Sequence, residues 1–149
     1  MWGEVMQVKQ VSVFIENISG RLAEVSRVLG QNNINIRALS IADTSEFGIL
    51  RLIVNDPDLA ASLLKKDGFS VGTTEVIAIC VDDSPGGLTD ALTCLEHNEI
   101  GIEYMYAFIG SSDPEKALVI LRVEDTEKAI EVLNNCGIDT VPPNKIYTM

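Results

Sequence analysis

The chain has 149 residues with 22 acidic against 11 basic side chains, a net charge of −11. Nucleic-acid affinity comes largely from Lys and Arg displacing counterions, so this balance excludes a nucleic-acid binder and disfavours anionic membrane surfaces. Hydrophobic content of 46% is ample for packed cores, but aromatics reach only 5%, so Ile, Leu and Val must supply most of the core volume. No apolar run approaches the ~20 residues that span a bilayer, and the opening "MWGEVMQVKQ" lacks the basic and apolar regions of a signal peptide. The expected address is the cytoplasm.

In chain order, "QVSVFIEN" alternates Val11, Val13 and Ile15 with Ser12, Phe14 and Glu16, the period of a strand. From Arg21 to Gln31, Leu22, Val25, Val28 and Leu29 fall at helical spacing. "INIRALSIAD" and "FGILRLIV" read as two strands split by the turn-like "DTSE". "NDPDLAASLLKKDG" is a helix with Asp56 as N-cap, Pro57 in the first turn and Gly68 as its stop. "FSVGTTE" supplies a short fourth strand.

The second half repeats this order. "EVIAICV" is a strand, and Leu88, Ala91, Leu92 and Leu95 form a helical stripe. "IGIEYMYAFI" and "ALVILRV" are strands around the turn "GSSDPEK", and Asp125 caps a helix through "TEKAIEVLNNC" that Gly137 ends. Two β-α-β-β-α-β units follow, residues 8–73 and 74–149, each predicting the α+β ferredoxin-like fold, an antiparallel sheet with both helices on one face. Val11, Ile36, Tyr104 and Tyr106 are expected on the face that the helices leave open, where a dimer partner or an enzyme could dock.

Cysteines 80, 94 and 136 contain no CxxC and read as small core hydrophobes in a reducing compartment. With His97 the single histidine, a metal site has almost nothing to draw on, and no cofactor is expected. Two catalytic readings are available: a Cys94–His97 nucleophile pair and acid–base work by Asp82 and Asp83. Both lack supporting groups, so no enzyme is expected.

The two strand-to-helix corners, "ENISGRLAEVSRVLGQNNINI" and "DDSPGGLTDALTCLEHNEIGI", resemble the ACT domain family. In that pattern a strand ends in Asn or Asp, x-P-G-x-L opens a helix, and an Asn-Ile-like entry leads into the second strand. The resemblance covers nearly the whole chain in two tandem copies. Ser19 replaces the proline in the first copy, and Pro85 keeps it in the second. It implies a non-catalytic regulatory module that binds an amino acid and pairs side by side into one eight-stranded antiparallel sheet. The implied partners are a second copy of the chain or a metabolic enzyme.

It also implies a ligand at the corners, formed by Asn17, Ser19, Gly20, Arg21, Leu22 and Asn35, and by Asp83, Ser84, Pro85, Gly86, Gly87 and Leu88. In the serine-binding ACT domains of phosphoglycerate dehydrogenase, one asparagine before the loop and one on the neighbouring domain's second strand hold the ligand. Asn17 and Asn35 match these positions, while Asp83 and Gly101 stand there in the second copy. Two unequal sites are therefore expected, the Asp83/Asn35 one better equipped, because a charged acceptor binds ammonium more strongly than an amide does. Asn17 and Asp83 as helix caps, and Arg21 as a surface residue, are the plainer alternatives. A degenerate pair that recruits a protein and binds no ligand is the alternative function.

Overall fold

The computed structural model describes residues 7–16, 18–43, 46–110 and 112–148. Its elements are β1 (Gln7–Glu16), α1 (Arg21–Gln31), β2 (Ile36–Asp43), β3 (Phe47–Val54), α2 (Pro57–Lys66), β4 (Ser70–Asp82), α3 (Thr89–His97), β5 (Ile102–Ala107), β6 (Lys116–Val123), α4 (Thr126–Asn135), β7 (Asp139–Val141) and α5 (Pro143–Tyr147). The chain divides into two compact units. One is Lys9–Thr74; the other takes Gln7 and Val8 with the described residues from Glu75 onward. Both are α+β and ferredoxin-like. No helix among the described residues is long and apolar enough to cross a membrane.

In the first unit β3 is central, antiparallel to β1 (Val13 opposite Leu50) and to β2 (Ile41 opposite Leu50). Val11, Val13 and Ile15 share one face with Leu50 and Leu52, and there Val25 and Leu29 of α1 and Leu64 of α2 close the core. In the second unit β4 lies between β6 and β7, with β5 beyond β6. Ile77, Ile79, Val119 and Leu121 meet Ala91 and Leu95 of α3 and Ala129 and Leu133 of α4.

The repeat extends to single hydrogen bonds. Asn32 Nδ2 donates to the Val28 carbonyl and Asn98 Nδ2 to the Cys94 carbonyl, each at 2.8 Å. One residue on, Asn33 (φ 60°) and Glu99 (φ 57°) both enter the left-handed region. The Ile34 and Ile100 amides then donate back to Leu29 and Leu95, at 2.9 Å in each unit. Both helices are thus stopped by the same local device, an αL residue whose successor satisfies a last-turn carbonyl.

Two of these expectations change. Seven strands are present among the described residues, not eight, because Ser70–Asp82 is one unbroken strand that crosses the boundary between units. Val11 and Ile36 belong to the helix-covered face: Val11 is fully buried in the first core and Ile36 packs against it. Tyr104 and Tyr106 do lie on the other face, opposite Arg122 and Ile120, but Ile120 and Ala78 there are fully buried. The short α5, whose Ile146 is also fully buried, has no counterpart in the first unit.

Cys94 and Cys136 are joined by a disulfide, with Cα atoms 6.4 Å apart. α3 and α4 share one core, which brings two positions 42 residues apart in sequence to bonding distance. That replaces the expectation of three free thiols and removes Cys94 as a nucleophile, since the thiolate is the reactive form. Cys80 stays free. Burial pushes its pKa up, Asp139, Asp113 and Asp82 add to the rise, and Lys116 opposes it. Thiol titration of denatured protein is expected to count one thiol without reductant and three after reduction. Cys94→Ser should cost about 2–4 kcal/mol, read from denaturant melts, because it releases a long loop in the unfolded chain.

Candidate functional site

Each corner turns on a glycine at positive φ, Gly20 (92°) and Gly86 (80°), a conformation that L side chains rarely adopt. The helices that follow are treated unlike the other two long helices. α2 and α4 are capped by aspartate: Asp56 Oδ1 accepts from the Leu59 amide at 3.2 Å and Asp125 Oδ1 from the Lys128 amide at 3.1 Å. The N-cap residues of α1 and α3, Gly20 and Leu88, make no side-chain cap bond. At α1 the amides of Ser19, Gly20, Leu22 and Ala23 have no acceptor among the described residues, whereas Glu24 already donates to Gly20. Free N–H groups at a helix start carry partial positive charge and suit an anion.

A cavity of about 320 Å³ lies against this start. Ser19, Gly20 and Leu22 form one side, Ile15, Glu16 and Ile18 another, and Ile41 and Gly48 complete it. Gly48 sits opposite Ile15 on the helix side of the sheet and offers no side chain, which leaves room there. Its counterpart in the second unit, opposite Val81, is Ala117, which packs against the second core. Ile18, Leu22 and Ile41 are each about half exposed (57%, 46% and 48%), so the mouth is apolar. Glu16 has no ion-pair partner among the described residues.

The first-corner candidates therefore divide. Ser19, Gly20 and Leu22 come together; Asn17 lies outside the described residues. Arg21 points elsewhere, pairing with Glu24 at 3.0 Å and lying 5.5 Å from the centre of the Phe69 ring. Asn35 is exposed, its amide donating to Asn55 Oδ1 at 2.9 Å and its carbonyl accepting from the Asn55 amide. Ile15, Glu16, Ile18, Ile41 and Gly48 also line this cavity and were not among the expected residues. The available signal was Gly48, a glycine inside the apolar strand "FGILRLIV", where such a residue often marks a close approach.

The second corner is wound tighter. The Gly87 amide donates to Ser84 O at 2.9 Å and the Thr89 amide to Gly86 O at 3.0 Å, so these donors serve the turn. A Cβ on Gly87 would stand 1.9 Å from the Asp82 carbonyl oxygen, which is why glycine replaces the arginine of the first copy. Leu88 packs against the second core. Ser84, Pro85 and Gly86 are exposed, as is Asp83, whose amide donates to Glu115 O at 2.8 Å. Asp82, the counterpart of Glu16, is ion-paired with Lys116, whose pKa that hydrogen bond and charge raise. This pairing engages the carboxylate that the acid–base reading needed.

The chain matches the family described as "ACT domain pair" over residues 6–149. It belongs to that family. A structure titled as protein BT0572 from Bacteroides thetaiotaomicron is 42% identical, with a TM-score of 0.90 over 97% of this chain and 98% of that one. The ligand-free regulatory subunit of aspartate kinase from Thermus thermophilus shares the fold at 13% identity, TM-score 0.65, over 90% of this chain and 97% of that one. The regulatory subunit of aspartate kinase from Thermus flavus does so at 13% identity and 0.61, over 89% and 94%. A search of curated proteins gave no match. For this ACT pair, the tight second corner has a direct consequence. Gly87→Ala should destabilise by about 2 kcal/mol or more in denaturant melts, because the new methyl meets backbone and not a movable side chain.

Proposed function

We propose that this ACT pair is a non-catalytic regulatory module that binds a free amino acid at its first corner. The bound state would act through a metabolic enzyme or a second copy of the chain. The cavity beside the uncapped start of α1 is the observation that carries this reading: it sets backbone amides that have no acceptor among the described residues against a small, mostly apolar space. The carboxylate of an amino acid suits such donors. Membership of the ACT family supports a regulatory role, and the pairing of Cys94 with Cys136 and of Asp82 with Lys116 speaks against the two catalytic readings. A cytoplasmic address belongs to the same proposal, with the disulfide as the observation that weighs against it.

A second reading, an interaction module without ligand, draws on the row of exposed apolar side chains Ile18, Leu22, Leu39 and Ile41. A thermal-shift screen of the twenty amino acids separates the two. At ~100 times its Kd a ligand adds about 2.7 kcal/mol of stability, so at least one amino acid is expected to raise Tm clearly. No response to any of them, with self-association in sedimentation, would put the interaction module in its place. Asp83→Ala and Asn35→Ala belong in the same screen; an unchanged shift in both would remove these residues from the ligand contacts.

A further inference from the structure

We infer that Cys94 and Cys136 form a reversible redox switch, closed as a disulfide and open as two thiols, that sets how firmly α3 is held on the second core. The bond joins the buried Cys94 of α3 to the exposed Cys136, the C-cap of α4. The first unit shows the same helix pair without it. Val28 is the counterpart of Cys94, since each carbonyl accepts a bond from the asparagine four residues on. Asp67 is the counterpart of Cys136: each is the C-cap of its helix and stands before a glycine at positive φ, Gly68 and Gly137. Val28 packs against the first core, and a valine and an aspartate cannot be cross-linked. The fold therefore stands on packing alone in one copy, and the bond in the other is an addition to it.

The element that the bond acts on is α3. At 9 residues it is shorter than α1, α2 and α4, which have 11, 10 and 10, and its N-cap Leu88 makes no side-chain cap bond. A short, uncapped helix draws its stability from packing. When the bond opens, the Cys94 thiol stays in the core as a small hydrophobe, with the Val132 carbonyl 3.4 Å from its sulfur as acceptor. Opening needs an outside thiol of the glutathione class. Its thiolate attacks the Cys136 sulfur and forms a mixed disulfide there; the Cys94–Cys136 bond breaks, its electron pair goes to Cys94 Sγ, and that sulfur takes a proton. A second thiolate attacks the outer sulfur of the mixed disulfide, Cys136 leaves as thiolate and is protonated, and the outside thiols depart as their own disulfide. Closing runs the same steps in reverse. Cys80 alternates with the core residues Ile79 and Val81 onto the other face of β4, so it is not placed to intercept either step. Transient disulfides are the kind found in reducing compartments, so a reversible bond is compatible with the proposed cytoplasmic address.

The test equilibrates the full chain in buffers of graded reduced-to-oxidised glutathione ratio, quenches by alkylation and reads the cysteines by peptide mass spectrometry. The pair is expected to pass between disulfide and dithiol in both directions, with any glutathione adduct on Cys136 and not on Cys94. Reduction should lower Tm by on the order of 10 °C. It should also speed hydrogen exchange of the α3 amides by about tenfold or more, with the α1 amides unmoved. Cys94→Val combined with Cys136→Asp copies the first unit; that variant should fold and hold the fast-exchange state at every ratio. Cys136→Ser, at an exposed position, gives the same readout should the double variant not fold. A pair that stays bonded at every ratio short of unfolding, or that never closes in oxidised glutathione, would overturn the switch. So would α3 exchange that is the same in both states of the pair. Each of these outcomes is independent of amino-acid binding at the first corner.

Discussion

Much of this chain follows from one constraint, the strand-to-helix corner that Gly20 and Gly86 turn at positive φ. A corner this sharp sets the first turn of the helix directly beside the end of the preceding strand. An aspartate cap would satisfy the first-turn amides internally, as Asp56 and Asp125 do for α2 and α4. The glycine turn at α1 leaves them without a side-chain acceptor. Leaving amides uncapped typically costs on the order of 1 kcal/mol, and a site that recruits an anion recovers that stability only when ligand is bound. The same choice at two corners and the opposite choice at the starts of α2 and α4 is the pattern that the proposed ligand site draws on.

The two copies then diverge through small substitutions with clear physical effects. Gly48 against Ala117 decides whether space remains between sheet and helix. Arg21 against Gly87 decides how tightly the corner closes, since only glycine tolerates the Asp82 carbonyl so near. Lys116 engages Asp82 in the second unit, while its counterpart Glu16 has no ion-pair partner among the described residues. Duplication of a unit supplies two equivalent corners; these changes make them unequal.

The element order was legible because each element carried an independent local signal. Period-two and period-3.6 patterns gave β3 and α1 their limits, Asp56 and Asp125 marked helix starts, and Gly68 and Gly137 marked stops. Facing and pairing were less legible. Val11 alternates correctly, yet which side of a strand meets the helices is a tertiary choice, and it fell opposite to expectation. The Cys94–Cys136 bond depends on the packing of α3 against α4, which sequence separation does not encode. The site was half legible. The corner glycines and Ser19 stood in a recognisable motif, whereas Ile41 and Gly48 reach the cavity only through the register of β2 and β3. The family proline drew attention to the second corner, but a missing side chain on the adjacent strand β3 leaves room at the first.

The central claim is that ligand meets the start of α1. Backbone NMR of the full chain during titration with the amino acid that gives the largest thermal shift tests it most directly. The amides of Ser19, Gly20 and Leu22 should show the largest and earliest shifts, saturating together with Ile41. Shifts concentrated at Asp83 through Leu88, with the first corner unmoved, would contradict the account.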